Sequence, residues 1–306
     1  MKLGLQISSF DFPGGPAVIA PTLARIVRVA DDVGFDSIWV MDHFFQIRGV
    51  GAVTDPMLEG WTTLGYMAAL SSRARLGLMV GGVHYRQPGL WIKAATTLDV
   101  LSGGRAWLGI GAAWNEDESR ALGFPFPPLA ERFEMLEDTL RMAHAMWTGE
   151  RGTEGAFEGT HVRAERLLNS PPPLTRPHPP ILVGGGGERK TLRLVAQYAD
   201  ACNVFGGPEI VHRKYEILRA HCEAVGRPYD EIERTNLQDV DMAPSRAGDP
   251  RHRRASRSES SPDRLVERFG ELADAGVQHV ILSPRTIDPA RLEAIGGAIV
   301  PQLRGL

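Results

Sequence analysis

Cysteine is nearly absent from the sequence, and this scarcity excludes several classes of protein. The only two cysteines among 306 residues are Cys202 and Cys222, and no CxxC pair occurs. A disulfide framework and a cysteine zinc site are therefore excluded, and we expect a protein of the reducing cytoplasm. GxSxG and HExxH motifs are missing as well, which leaves hydrolase chemistry and a metal centre without support.

Long apolar runs and an excess of one charge are also missing. No stretch reaches transmembrane length, and the apolar run at the amino terminus is shorter than that of a signal peptide. The 34 Lys and Arg residues against 37 Asp and Glu residues give a formal net charge of −3. Without a positive field to gather nucleic acid or anionic lipid, the expected partner is a small-molecule substrate, with no nucleic acid and no membrane.

Short runs rich in Val, Ile and Leu alternate with longer segments of helical period through most of the sequence. The predicted strands cover residues 2–8, 37–41, 75–81, 106–111, 180–184, 201–204, 232–242 and 277–282. The predicted helices cover residues 17–33, 60–71, 88–101, 131–147, 188–198, 209–225, 262–275 and 289–303. Gly34 and Gly276 stand where a helix must stop before a strand.

A parallel α/β fold follows from this alternation. Eight strand and helix units without a reversal signal favour a closed (β/α)8 TIM barrel over a doubly wound open sheet. One domain over residues 1–306 is predicted, with an insertion at about residues 149–180, where a glycine-rich start and a proline cluster break the pattern. An arginine-rich segment at 243–261 lacks interleaved aromatic residues, which favours a solvated loop or lid over a nucleic-acid patch.

Active sites of such barrels form at the carboxyl ends of the strands, so polar residues that follow a strand are candidates. Asp42 and His43 follow strand two and could supply a hydrogen-bond partner and a titratable imidazole to a bound ring. Alternatively, Asp42 caps the next segment and His43 is a core residue. Neither interpretation is settled by the residues alone.

Small residues follow strands three and four. The pair Gly81 and Gly82 permits close approach of a flat ligand, or a tight turn into a helix that begins at Pro88. Strand four is followed by small residues, a large aromatic and an amide: Gly111, Ala112, Trp114 and Asn115. This combination could line a ring or phosphate site, although core packing explains the glycines almost as well.

The sharpest local signal is a strand followed by four glycines and a helix start. The run consists of Gly184, Gly185, Gly186 and Gly187, and Glu188 follows it. Unobstructed amides at a helix amino terminus favour an anion through hydrogen bonds and the helix dipole, so a phosphate is the natural ligand. The run is neither a Walker motif nor a GxGxxG after the first strand, so nucleotide hydrolysis and a Rossmann site are weak interpretations.

The segments 34–44, 97–112, 131–133, 180–191 and 199–201 resemble the luciferase-like monooxygenase superfamily. The resemblance is closest to its branch of deazaflavin (coenzyme F420)-dependent oxidoreductases from actinobacteria. It implies a barrel with its insertion after helix four, a homodimer, and a flavin-like cofactor at the carboxyl face. In relatives, the segment that matches residues 184–188 holds the cofactor phosphate.

The resemblance also implies roles for individual residues. Asp42 and His43 match a pair that contacts the ring and helps to move a proton. Met79, Val80 and Gly81 fall where relatives often contain a non-proline cis peptide that backs the ring. Trp114 stands where the similar sugar-phosphate dehydrogenases carry a catalytic glutamate, which argues against sugar-phosphate oxidation and for a more hydrophobic substrate pocket.

The predicted reaction is hydride transfer between C5 of reduced coenzyme F420 and a small organic substrate, with His43 as proton donor or acceptor. Two alternatives stay open. The first is an FMN-dependent luciferase-like monooxygenase on the same scaffold, because FMN also combines a flat ring with a phosphate. The second is a non-catalytic flavin-binding protein, since the glutamate at the position of Trp114 is lost.

Overall fold

Strands and helices alternate along the chain in the computed structural model, which describes residues 1–149, 155–240 and 261–306. The strands are β1 (Lys2–Ile7), β2 (Ser37–Val40), β3 (Arg75–Leu78), β4 (Gly81–Gly82), β5 (Leu108–Gly111), β6 (Phe157–Glu158), β7 (Arg163–Ala164), β8 (Ile181–Gly184), β9 (Ala201–Val204), β10 (Glu233–Val240) and β11 (His279–Pro284). The α-helices are α1 (Ile19–Val33), α2 (Gly60–Ala68), α3 (Pro88–Ser102), α4 (Glu116–Ala121), α5 (Leu129–Thr148), α6 (Thr191–Tyr198), α7 (Pro208–Val225), α8 (Pro262–Asp274) and α9 (Pro289–Leu303).

One parallel sheet of nine strands forms the centre, in the order β3, β2, β1, β11, β10, β9, β8, β5, β4. Its two end strands are the halves of the third predicted strand, separated by a cis peptide between Met79 and Val80. A parallel bridge from Leu76 to Ala106 brings the two ends of the sheet together. The predicted (β/α)8 barrel is confirmed, with strand three split in two where the sequence predicted one continuous strand.

Side chains alternate between the inside and the outside of the barrel along each strand. Trp39 and Trp107 pack inside with ring centroids 5.7 Å apart, and Gly77 makes room for them, because a Cβ there would lie 2.6 Å from the Trp39 ring. Ile38 and Val40, on the opposite face of β2, are buried in the larger apolar layer between strands and helices. The short strands are therefore buried on both faces, as their continuous apolar sequence requires.

The helix boundaries follow local sequence signals. Helices α1 and α3 end at Gly34 and Gly103, whose φ angles of 106° and 73° are left-handed and favour glycine. Helix α3 begins with Pro88 at its first position, as predicted. Within the described ranges, no helix is both long and apolar enough to cross a membrane.

Three features differ from the sequence prediction or go beyond it, and one predicted segment cannot be compared with the structure. The six-residue helix α4 was not predicted. Helix α6 begins at Thr191, after a turn at residues 188–190, whereas the sequence predicted a start at Glu188. Residues 155–180 contain the antiparallel pair β6 and β7. The predicted end of strand seven at 241–242 and the arginine-rich segment up to 260 lie outside the described residues.

Candidate active site

The loops that follow β2, β4, β5 and β8 form the mouth of the barrel. These strands are parallel, so their carboxyl ends open on the same face. Around the closed barrel, only the split third strand (β3 and β4) and β5 lie between β2 and β8 on the shorter side. Asp42 and His43 follow β2, and the glycine run begins at the end of β8, so both segments belong to this mouth.

Asp42 is buried and bonded to the strand-three exit. Its two oxygens each accept a hydrogen bond of 2.8 Å from the Arg86 guanidinium, and the Gly82 amide donates a third bond of 3.2 Å. Burial raises the pKa of the Asp42 carboxyl, whereas Arg86 opposes this shift. Three of its about four acceptor positions are therefore used within the protein, and only 1% of the side chain is exposed.

His43 points away from Asp42 and toward helix α4. Its Nδ1 lies 2.5 Å from Oε1 of Glu118, and the exposed fractions of the two side chains are 13% and 1%. The edge of the Trp114 ring contacts the imidazole, with centroids 5.5 Å apart. Trp114 itself is 64% exposed, so it extends the mouth as an apolar wall beside His43.

Glu118 accepts hydrogen bonds from two segments, the loop after β2 and the strand-three exit after β4. The Tyr85 hydroxyl donates to Oε1 at 2.6 Å, and the Phe44 and Phe45 amides donate to Oε2 at 2.8 and 3.2 Å. Burial alone raises the pKa of Glu118, but the hydrogen bonds from His43, Tyr85 and Phe44 outweigh it and hold that pKa below its ordinary value. The carboxylate is therefore ionised at neutral pH and acts as an acceptor.

Two further side chains, Tyr85 and His84, lie beside Glu118 in the mouth. Burial, with Glu118 as hydrogen-bond acceptor, raises the pKa of the Tyr85 hydroxyl, which stays protonated. His84 Nε2 lies 2.8 Å from the Ser119 hydroxyl. Burial, and then the charge of Arg132, lower the pKa of His84 to about 4, so its ring is neutral. His84 and Tyr85 thus fasten helix α4 to the strand-three exit.

The glycine pair after strand three is explained by packing. A Cβ on Gly81 would lie 2.1 Å from the Trp91 ring, and one on Gly82 would lie 2.7 Å from the Tyr85 ring. Both glycines therefore make room for aromatic side chains of this protein. The structure favours the packing interpretation of the pair, and close approach of a ligand is not needed to explain it.

Val80 connects the two sides of the mouth. The cis peptide between Met79 and Val80 lies where the resemblance placed it, and the Met79 carbonyl accepts a hydrogen bond of 3.0 Å from the side-chain Nε2 of Gln6. Cβ atoms on Gly111 and Gly184 would approach the Val80 side chain to 3.1 and 2.7 Å. These two glycines leave Val80 lying across the ends of β5 and β8, where it could back a flat ring.

The exit of β5 turns sharply. Ala113 has a φ of 61°, the one left-handed φ of a non-glycine residue in the described chain, and such a residue costs about 1 kcal/mol or more. Ala112 before it is half-buried against the core. Behind the turn, the side-chain amide of Asn115 has no hydrogen-bond partner among the described residues, so it is available to a ligand.

The glycine run has fewer backbone amides free to bind a ligand than its four glycines led us to expect. The Gly185 amide donates to the Asn203 carbonyl at 3.0 Å, whereas no described residue accepts from the amides of Gly186 and Gly187. The Glu188 carboxylate pairs with Lys214 at 2.7 Å, and this hydrogen bond lowers its pKa. Two free amides close to a helix start suit an anion, while the Glu188 side chain turns toward α7.

Sequence reasoning missed Glu118 and Arg86, the ionic partners of His43 and Asp42. Glu118 stands in the charged run Glu116, Asp117 and Glu118, which is typical of a solvated surface. One available signal was its position three residues after Asn115 at a helix start, which places both on one side of the helix. Arg86 was visible only as a residue between two predicted elements.

The fold and the mouth together define a class: a (β/α)8 barrel with a histidine–glutamate pair at the carboxyl ends of its strands, and with two glycine amides there that no described residue accepts from. The sequence profile described as luciferase-like monooxygenase matches residues 1–247. The chain belongs to the luciferase-like monooxygenase family, which confirms the predicted relationship.

Individual relatives agree with this assignment. The chain is 28% identical over 347 positions to an F420-dependent glucose-6-phosphate dehydrogenase of Nakamurella multipartita. The alignment covers 100% of the chain and 97% of that protein. The chain is 33% identical over 241 positions to a protein of the same name from Kineococcus radiotolerans, covering 77% of the chain and 66% of that protein.

Solved structures share the fold at low sequence identity. An F420-dependent secondary alcohol dehydrogenase in complex with an F420-acetone adduct superposes with a TM-score of 0.79 at 17% identity, over 99% of both chains. A monooxygenase from Streptomyces bottropensis superposes with a TM-score of 0.78 at 18% identity, also over 99% of both chains. At 17% and 18% identity, these superpositions show that the proteins share the barrel fold.

Proposed function

We propose that this protein is an oxidoreductase that transfers a hydride between coenzyme F420 and a small organic substrate. One observation carries the proposal: His43 with its ionised partner Glu118 and the free amides of Gly186 and Gly187 belong to the same mouth, with Val80 between them. Two relatives named as F420-dependent dehydrogenases support the choice of cofactor.

The residues of the mouth fit a phosphorylated ring system. The ring would lie against Val80, near Gly111 and Ala112, and its phosphate would accept hydrogen bonds from the amides of Gly186 and Gly187. Asn115 would bond the polar edge of the ring, Asp42 would support the ring from the buried loop that it fixes, and Glu188 would close the cradle through its backbone. When bound, F420 supplies the ring carbon that gives or accepts the hydride.

His43 is the proposed proton carrier. Its Nδ1 is engaged by Glu118, so Nε2 is the nitrogen that can exchange a proton with substrate. Asp42 and Arg86 hold the loop that carries His43 through a two-bond ion pair. Trp114 would cover the substrate and help to exclude water from the reacting atoms.

The mouth favours a substrate with an apolar body. Trp114 after β5 and Phe205 after β9 are 64% and 56% exposed, which places two large aromatic side chains beyond the carboxyl ends of the two strands that flank β8. Such surfaces bind apolar groups. We therefore propose a substrate with an apolar body. The F420-dependent secondary alcohol dehydrogenase that shares the fold supports a secondary alcohol or ketone as the reacting group.

An FMN-dependent monooxygenase is the second candidate, favoured by the full-length superposition on the Streptomyces bottropensis monooxygenase. A direct titration of the purified protein with F420 and with FMN, followed by fluorescence, distinguishes the two functions. We expect F420 to bind at least tenfold more tightly, and its reduced form to be oxidised by ketones without oxygen. Tighter binding of FMN, together with oxygen consumption, would favour the monooxygenase. A non-catalytic flavin-binding protein is excluded if the protein exchanges a hydride with any acceptor.

We also propose that the protein acts as a cytoplasmic homodimer. Helix α2 has no charged residue, and Tyr66 on it and Leu90 and Leu101 on the adjacent α3 are 41%, 58% and 72% exposed. Exposed apolar side chains on two neighbouring helices suit contact with a second copy of the chain. Both cysteines are buried and free, which is compatible with a reducing compartment.

A further inference from the structure

We propose that Glu118 is a positioning residue that holds His43 as the tautomer with hydrogen on Nδ1, so that Nε2 is bare and ready to accept the substrate proton. The role of Nε2 in turnover rests on the proposed oxidoreductase function. The tautomer itself does not, because it follows from contacts within the protein. The two claims can therefore be tested separately.

Four donors converge on the two oxygens of Glu118. The Phe44 and Phe45 amides are both directed at Oε2, and a backbone amide can only donate. Tyr85 and His43 share Oε1 at 2.6 and 2.5 Å. These two groups differ from the amides, since a hydroxyl and an imidazole nitrogen can either donate or accept.

The charge of Glu118 decides which nitrogen of His43 carries the hydrogen. An ionised carboxylate has no hydrogen to donate, so the short contact to Nδ1 requires a hydrogen on Nδ1. A neutral imidazole has a single N–H, and its Nε2 is then a bare acceptor. None of the described residues hydrogen-bonds Nε2, which leaves that nitrogen for a ligand in the mouth.

The other groups around His43 are neutral or already paired. Asp42, on the same loop, is neutralised by Arg86. Tyr85 and His84, at the strand-three exit, are bonded to Glu118 and Ser119 and are uncharged at neutral pH. Trp114, after β5, presents a ring edge. The carboxylate of Glu118 is therefore the charge that acts directly on the imidazole.

The arrangement gives both directions of reaction a defined proton path. In alcohol oxidation Nε2 of His43 would accept the hydroxyl proton and the bound, oxidised cofactor would accept the C–H hydride, so that the C–O bond would become a carbonyl. The imidazolium formed keeps its hydrogen on Nδ1 and is stabilised by the Glu118 carboxylate. In ketone reduction, the imidazolium returns the proton to the carbonyl oxygen as the hydride arrives from the reduced cofactor.

Substitution E118Q tests the inference. The glutamine NH2 cannot face the two backbone amides, so it must face His43 and Tyr85, where His43 can accept only by moving its hydrogen to Nε2. We expect ¹⁵N NMR of histidine-labelled, cofactor-free protein to show the Nδ1–H tautomer in the wild type and the Nε2–H tautomer in E118Q. A His43→Asn variant identifies the signal.

Turnover gives the second readout. We expect E118Q to lower kcat about 100-fold or more, as loss of an acid–base group does, while KM for F420 changes less than about threefold. The matched control is Glu116→Gln on the same helix, because Glu116 is exposed and pairs with Arg120. This variant should keep both the tautomer and kcat.

Three results would overturn the inference. One is an Nε2–H tautomer in the folded wild type, which needs no variant and so decides the question even if E118Q fails to fold. The others are an unchanged tautomer in folded E118Q, or a kcat that stays near that of the wild type. If the wild type neither binds nor oxidises reduced F420, the proposed function fails, while the NMR result still decides the role of Glu118.

Discussion

Asp42 and His43 are neighbours in sequence but belong to different networks. Asp42 pairs with Arg86, which also contacts Glu59 at 2.6 Å, whereas His43 contacts Glu118. The first network fixes the loop, and the second leaves one imidazole nitrogen for chemistry. A sequence can place the two residues at the end of a strand, but it does not indicate that their side chains diverge.

His43→Ala should separate proton transfer from binding. We expect kcat to fall about 100-fold or more, because acid–base catalysis by one side chain contributes a factor of this order. The Kd of F420 should stay within about threefold, since the phosphate and the ring have other contacts. Steady-state kinetics and a fluorescence titration measure the two quantities.

Exposed His212 on helix α7 provides the control, and His212→Ala should match the wild type in both measurements. If His43→Ala turned over at the wild-type rate, His43 would be removed from the mechanism. A large loss of F420 affinity at unchanged turnover would instead assign it to binding.

Among the elements, the glycine cradle between β8 and α6 allows the clearest binding test. Gly186 lacks a left-handed φ, and a Cβ there would meet nothing nearer than Lys214 Cε at 3.7 Å. Gly186→Asp should therefore fold, but its carboxylate would repel a phosphate at the adjacent amides. We expect the Kd of F420 to rise about tenfold or more, which corresponds to about 1.4 kcal/mol.

The matched control is Gly297→Asp on helix α9, where a Cβ would also meet open space. Isothermal titration calorimetry of both variants, with thermal unfolding to verify the fold, makes the comparison. Equal F420 affinity in the two variants would place the phosphate elsewhere.

Elements with local signals could be predicted from the sequence, and elements defined by distant partners could not. Gly34 and Pro88 mark a helix end and a helix start through their own backbone preferences. Helix α4 has no apolar period, and Glu118 is buried by contact with His43, 75 residues earlier in the chain. The Met79–Val80 interruption of strand three was expected from the family resemblance and not from the apolar pattern.

At the scale of the whole molecule, the two ends of the barrel have different roles. At the amino end a chain of hydrogen bonds leads from the buried residues Trp39, Ser37 and His279 through Glu233 to the exposed Lys2. Ser37 is 1% exposed, so this serine, histidine and glutamate cannot act on a substrate. Polar groups at this end of a barrel contribute to stability, whereas the carboxyl end carries the chemistry.

This network predicts how stability depends on pH. Burial alone raises the pKa of Glu233, but the hydrogen bonds and charges of His279 and Lys2 outweigh it and hold the pKa at about 2, below the ordinary 4.5. The stabilisation is therefore present above pH 4.5 and is lost as the pH falls toward 2. We expect a loss of about 2 to 3 kcal/mol over this window.

Urea unfolding of the wild type and Glu233→Gln at several pH values between 5 and 3 measures this loss. The variant should be less stable at pH 5 and show a flatter dependence, while kcat with F420 stays unchanged. The same pH slope in both proteins would exclude Glu233 as its source.

The proposed dimer is the other prediction at this scale. Leu101→Glu introduces a charge into the exposed apolar face of α2 and α3, so we expect light scattering to change from the mass of two chains to that of one. Val225→Glu, on helix α7, is the control and should stay dimeric. A wild type with the mass of one chain would contradict the proposal.

A crystal structure with F420 bound tests the central claim most directly, because the claim concerns where one ligand touches the protein. The account predicts phosphate oxygens within about 3 Å of the Gly186 and Gly187 amides, the ring against Val80, and Nε2 of His43 facing the substrate side of the ring. A cofactor bound with its phosphate outside the glycine run, or with its ring remote from His43, would contradict it.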